Sequence, residues 1–289
     1  MGTSRSSTGS PSGVPLVPPW VDSVEPVADD GQQVIEQPGK PEEEGVDPAV
    51  APKIPPSGAI PPIAPPGRFR STRISLGKYA KTGDADSMRQ GVGRYFKHGL
   101  GGSGTGSKRF AKTGQVAQRL YSTLGGSGPG GGGTAQPSAA DLAFLNGKSG
   151  QAICDAIVEI ACPVDGSQDA EASRNSINDA LAELLQRYAD ADLHNLTEEQ
   201  REFVIDRFVS MDVYRRFMLD VGTAIQDKAP SYTVALSRLK EAKNYIREVV
   251  VDSFQKLRNS GQRLSGNRIS QIVSSALSDA IFVFAGYAE

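Results

Sequence analysis

The stretch TEEQREFVIDRFVSMDVYRRFMLDVGTAI, Thr197–Ile225, decides the fold class. Phe208, Met211, Tyr214, Phe217, Met218, Val221 and Ile225 recur at three- and four-residue steps, the period of one helix face. The stretch also carries a start signal. Thr197 and Gln200 match a capping box, in which each side chain accepts the other's backbone N–H. Glu198, Glu199 and Glu202 follow in the first turns, a solvated face where carboxylates meet the positive end of the helix dipole. Three more stripes share this period. They are Ile177, Leu181, Leu184, Leu185 and Tyr188; Leu236, Leu239, Ile246, Val249, Val250 and Leu257; and Ile269, Ile272, Val273, Leu277, Ile281 and Phe284. An earlier helix runs through Ile153, Ile157 and Ile160 and stops at Cys162–Pro163. Five or six amphipathic helices with short connections, and no credible strand, predict a mainly α chain with a helical bundle over residues 139–289.

Outward from the bundle the composition changes in blocks. Of 19 prolines, fifteen precede residue 67, and of 32 glycines, seventeen fall between Gly77 and Gly133. Residues 1–20 form a small, polar tail ending in PLVPPW, with Trp20 as a single large anchor. Residues 21–67 hold nine acidic residues and only Lys40 and Lys53 as basic ones, with PEEEGVDP and IPPIAPP; such a composition predicts a disordered, semi-extended linker. Residues 68–124 are basic, with twelve Lys/Arg against Asp84 and Asp86, and residues 125–138 are a Gly-rich linker. Charge blocks of this kind belong to partner-binding segments.

Within the basic segment one short pattern occurs three times: KYAKTG at Lys78–Gly83, RYFKHG at Arg94–Gly99 and RFAKTG at Arg109–Gly114. The expected form of each copy is a short helix with its aromatic on one face, Lys in the last turn and a left-handed terminal Gly. Helices this short need something to pack against. Arg68, Phe69, Arg70, Lys78, Tyr79, Arg94, Tyr95, Arg109 and Phe110 are the candidate partner-binding residues. The rings would either meet a protein partner, stack on single-stranded nucleic acid beside the cations, or pack back on the chain's own acidic bundle.

Motifs for catalysis are lacking. Cys154 and Cys162 read as buried free thiols; His98 and His194 lie in different segments, His194 in an exposed loop, and no Cys/His set has metal spacing. GGSGTGSK at Gly101–Lys108 lacks the phosphate-loop spacing. No cofactor is expected, and the chain reads as a non-enzyme. The longest apolar run, AIFVFAGYA, is about half of what a membrane span needs, and no signal peptide is apparent. The expectation is a soluble, cytoplasmic protein.

The chain opens MGTSRSSTGS. Removal of Met1 would bare the Gly2 amine, whose pKa of about 7.7–8.0 lies well below that of lysine at about 10.4. Without a Cβ, Gly2 can enter a narrow active site, and Thr3 and Ser4 add hydrogen-bonding handles. Gly2 with Ser6 also fits the N-myristoylation pattern, so a lipid-anchored scaffold is an alternative.

At MGTSRSSTGSPSG, LVPPW, RFRSTRISLGKYAKTG and RQGVGRYFKHGLGGS the sequence resembles the QatB component of bacterial Qat anti-phage defence systems, most specifically over residues 1–20 and 67–125. The resemblance implies a neighbouring ATPase, a QueC-like enzyme and a TatD-like nuclease as partners. It further implies that the QueC-like enzyme acylates a protein amine, with Gly2 at the matching position. The nucleic-acid-binding adaptor is the alternative to this reading.

Overall fold

A computed structural model describes residues 67–125, 149–264 and 268–289, all helical or in the connections between helices. The tail with Gly2, Thr3, Ser4 and Trp20, the acidic linker through residue 66 and the Gly-rich linker from residue 126 lie outside the described residues. The first part holds α1 (Arg70–Thr82), α2 (Ala85–Arg94), a π-helical turn (Tyr95–Gly99), α3 (Gly102–Arg109) and α4 (Ala111–Thr123). The second holds α5 (Gly150–Ala161), α6 (Gln168–Arg187), α7 (Glu198–Val221), the short α8 (Thr223–Gln226), α9 (Tyr232–Asn259) and α10 (Ile269–Ala285).

Local chemistry sets the starts. Asp84 caps α2 by accepting the N–H groups of Asp86 and Ser87, and Ser149, Ser167 and Ser231 cap α5, α6 and α9 in the same manner. The capping box of α7 forms as expected, with bonds of 3.3 Å into Thr197 Oγ1 and 2.9 Å into Gln200 Oε1.

Residues from both parts share one core. The helix α10 packs against α2, the π turn, α3, α4 and α9, while α7 lies against α4, α6 and α9, and α1 against α2 and α8. This placement explains the apolar character of α10, whose whole expected stripe is buried together with Ala276 and Ala280. The rings of the basic segment join the same core. Tyr95 meets Phe69, Phe96 and Phe217 with centroids 5.6, 4.9 and 5.2 Å apart, and Phe96 stacks on Phe284 at 4.6 Å. The basic segment does pack against something, and that is the chain's own helices.

Details differ from the periodicity. In α9 the buried face is Ala235, Leu239, Ala242, Ile246, Val250, Ser253 and Phe254, and Leu236 is exposed. Small alanines, silent in a search for large apolar residues, carry the contact there. The α7 stripe breaks at Gly222, so Ile225 enters the core from α8. Of the three repeats, only the first ends as expected. Gly83 adopts the left-handed conformation, φ 75°, and its N–H returns to the Tyr79 carbonyl. Gly99 instead closes the π turn under the Phe69 ring, where a Cβ would come within 2.5 Å of the ring, and Gly114 lies inside α4.

Phe96→Ala should lower stability by about 3–5 kcal/mol, because it empties the centre of the aromatic cluster. Gly104→Ala, at a helical position with open space around it, should raise stability by up to about 1 kcal/mol. Chemical denaturation of the two variants tests both signs.

Candidate functional site

Two charged features stand out, one buried and one exposed. The buried one begins at Arg109, the last residue of α3, which makes a bidentate pair with Asp169 of α6; the Nη2–Oδ1 bond is 3.0 Å. Arg216 of α7 reaches the same Asp169 at 2.8 Å and Asp212, one turn back on its own helix, at 2.9 Å. Asp212 also accepts hydrogen bonds from Thr113 of α4 at 2.6 Å and Ser173 of α6 at 2.7 Å. Two arginines thus face two aspartates, and both Asp212 and Arg216 are almost wholly inaccessible. Burial works to raise the Asp169 carboxyl, but the bonds and charges of Arg109 and Arg216 outweigh it and hold it below the ordinary value. Beside the quartet, the Tyr95 hydroxyl donates to Asp220 of α7 at 2.8 Å, and burial together with that carboxylate pushes the phenol well up.

These groups bind one another. Each carboxylate of the quartet is engaged by an arginine of the same cluster, an arrangement suited to locking four helices. Its sequence signal lay in the phase of α7: Asp212 and Arg216 follow Phe208 at four-residue steps, so they fall on the apolar face itself. Charges in that phase must be paired inside.

The exposed feature is a groove of about 770 Å³ along α1, lined by Arg70, Arg73, Ile74, Lys78 and Lys81, with Lys228 from the α8–α9 connection opposite. Gly77 forms part of its floor; a Cβ there would meet the Lys228 stem at 3.4 Å.

The structure divides the residues that the sequence offered as one interaction surface. Phe69, Tyr79, Tyr95 and Phe110 are at most 4% exposed. A base-stacking or partner-facing role for these rings is therefore corrected: they are the apolar anchors that fix α1, the π turn and the α3–α4 junction to the core. Tyr79 donates to Glu241 at 2.8 Å, and burial, then Glu241, raises its phenol. Arg94 is turned inward to Ser75 Oγ at 2.6 Å, Arg109 sits in the quartet, and Arg68 lies over the Phe69 ring at 4.6 Å. Arg70 and Lys78 alone of the set lie open on the groove. Lys81 and Lys228, which the sequence reading did not single out, complete it. Cys154 and Cys162 are buried free thiols, as expected, and burial pushes Cys162 up to about 11. His98 is exposed and His194 half-buried in its loop. Among the described residues no group of His, Cys, Asp or Glu is arranged to hold a metal ion, and no helix is long and apolar enough to cross a membrane.

Asp169→Ala should cost about 3–5 kcal/mol by leaving Arg109 and Arg216 with a buried excess of positive charge, measurable by urea denaturation. A second prediction concerns Asp206 of α7, which accepts two bonds from Arg258 at 2.9 and 3.1 Å. Burial is the larger influence and pushes its carboxyl up to about 7. A folded-state pKa above the unfolded value of about 3.9 means that the folded protein holds the extra proton. Its stabilising contribution is therefore full below about pH 4 and declines as pH rises toward 7. Asp206→Asn should flatten that part of the stability–pH profile.

No curated protein and no solved structure matches the chain. The family model for QatB, the Qat anti-phage system associated protein, matches residues 101–284. The match runs from α3 to the last turn of α10 and includes every member of the buried quartet. The resemblance in the N-terminal motifs pointed to the same family, most specifically over residues 1–20 and 67–125, whereas the matched region is mainly the helical bundle. A match over well more than half of its length shows that this chain belongs to the QatB family of the Qat anti-phage defence system.

Proposed function

We propose that this protein is a non-enzymatic component of the Qat system which docks other proteins of that system and presents Gly2 to a QueC-like enzyme. Membership of the QatB family supports the defence role and is the observation that carries the reading. The finer mechanism rests on the chemistry of the opening residues. After loss of Met1, the α-amine is the most readily deprotonated amine of the chain near neutral pH. A carboxylate of the 7-carboxy-7-deazaguanine type, activated with ATP on the enzyme, would be attacked by that amine. An amide N–C bond forms, the C–O bond between the acyl carbon and the activating phosphate group breaks with its electron pair going to that leaving oxygen, and the nitrogen loses a proton.

The helical body supports the reading as a rigid platform, since its buried charges are paired internally. The 46 residues Val21–Pro66 correspond to a root-mean-square span of about 40 Å if they behave as a flexible chain. Such a leash is long enough for the first residues to reach the active site of a neighbouring subunit while the body stays docked. The ATPase and the QueC-like enzyme are the proposed docking partners, with the TatD-like nuclease as a third.

Intact-mass and peptide mass spectrometry of the protein co-expressed with its neighbouring genes tests this. The expected N-terminal peptide lacks Met1 and carries the added acyl mass on Gly2. Gly2→Pro should abolish both the adduct and phage protection. An unmodified N-terminal glycine, or full protection from Gly2→Pro, overturns the reading.

A further inference from the structure

The groove on α1 is a concentrated positive field with little to neutralise it. Among the described residues, Arg70, Lys81 and Lys228 form no ion pair, and Arg73 makes only a long 3.5 Å bond to the Asp220 carbonyl. The carboxylates near the groove do not balance it. Asp84, partly exposed, lies 3.8 Å from Lys78 and also caps α2, Asp220 is turned inward onto Tyr95, and Asp227, next to Lys228 in sequence, is exposed. Ile74 stands 63% exposed within this ring of cations. A groove with cationic rims, an apolar side chain and a glycine floor fits an extended acidic peptide that also carries apolar residues.

Such a peptide is joined directly to the groove. Gly67, the first described residue, lines it, and the chain before it contains Asp22, Glu25, Asp29, Asp30, Glu36, Glu42, Glu43, Glu44 and Asp47, with Val24, Val27, Val34 and Ile35 between them. We infer that the α1 groove is the docking site of the chain's own acidic segment, Asp22–Asp47. Geometry permits this. The thirteen residues of α1 extend about 20 Å. The twenty steps from Asp47 to Gly67 would span about 25 Å root-mean-square if flexible and at most about 60 Å if wholly polyproline-like. Tethering at that length gives an effective concentration in the millimolar range, so even a weak polyelectrolyte contact is populated. The pairing is exposed and therefore salt-sensitive. Docking does not depend on the modification of Gly2. Where both hold, docking shortens the leash, and Gly2 gains the full reach of Val21–Pro66 only when the acidic segment is released.

Zero-length carbodiimide cross-linking of the full chain provides the test, with unlabelled and heavy-isotope-labelled protein mixed in equal amounts at low micromolar concentration. The expected links join Lys78, Lys81 or Lys228 to carboxylates of Asp22–Asp47 within one isotopic population. They should fall at least about five-fold in roughly 0.5 M NaCl and in the Lys81→Glu/Lys228→Glu variant. Both lysines are exposed, so circular dichroism should confirm an unchanged fold. Replacing the nine carboxylates with amides should open the groove to added polyglutamate at least about ten-fold more tightly than in the native chain. Absence of the links overturns the inference, as do links between isotopic populations, which would indicate a second copy. A native chain that lacks the links but binds a single-stranded oligonucleotide through the same lysines overturns it in favour of nucleic acid. None of these results depends on whether Gly2 is modified.

Discussion

Two arginines and two aspartates held out of water constrain everything around them. Arg109, Asp169, Arg216 and Asp212 come from α3, α6 and α7, and Thr113 adds α4. A charge in this environment is tolerable only with its partners in place, because desolvation of each ion is costly and the attraction offsets it only at short range. The four charges are mutually compensating only when their three helices sit in one arrangement. A shift of α3 by a single turn would leave Asp169 with half of its partners. The quartet therefore acts chiefly on register, while the bulk of the stability comes from the aromatic and aliphatic core around it.

The basic, aromatic segment illustrates how one composition serves two surfaces. Its rings point inward: those of the π turn fasten it onto α7 and α10, Tyr79 ties α1 to α9, and Phe110 is buried at the α3–α4 junction. Its cations divide: Arg94 and Arg109 turn in to specific acceptors, and Arg70, Lys78 and Lys81 remain outside. Lys and Arg can do either, since their long apolar stems pack while the charged head seeks water or a carboxylate. The three copies of the repeat are consequently alike in what they bury and different in how the backbone continues after them.

The helical class, the α7 start, the end of α5 at Cys162 and the α10 stripe were legible in the sequence because each depends on local rules of period and capping. The burial of Tyr79, Tyr95 and Phe110 was not. Alternation of Lys/Arg with aromatics is the same for a solvent-facing stacking platform and for a helix pinned by its rings, and only the tertiary partner decides. The α9 contact through Ala235 and Ala242 was hidden for another reason, since small residues give weak hydrophobic contrast yet allow close helix approach. The basic groove was half legible. Arg70 and Lys78 belong to the segment itself, but Lys228 is 150 positions from Lys78 and joins them only through the packing of α8 on α1.

The packing of α10 against α2, α3, α4 and α9 bears on the order in which this protein can fold as it is made. Phe96 of the π turn rests on Phe284 of α10, and α2, α3 and α4 pack on the same helix, so these faces are completed only once α10 has been made. At translation rates of about 5–20 residues per second, that leaves roughly ten to thirty seconds between the emergence of α4 and that of α10. During this interval a nascent chain shows a cationic, ring-studded stretch behind an acidic one, with its rings still waiting for α7, α9 and α10.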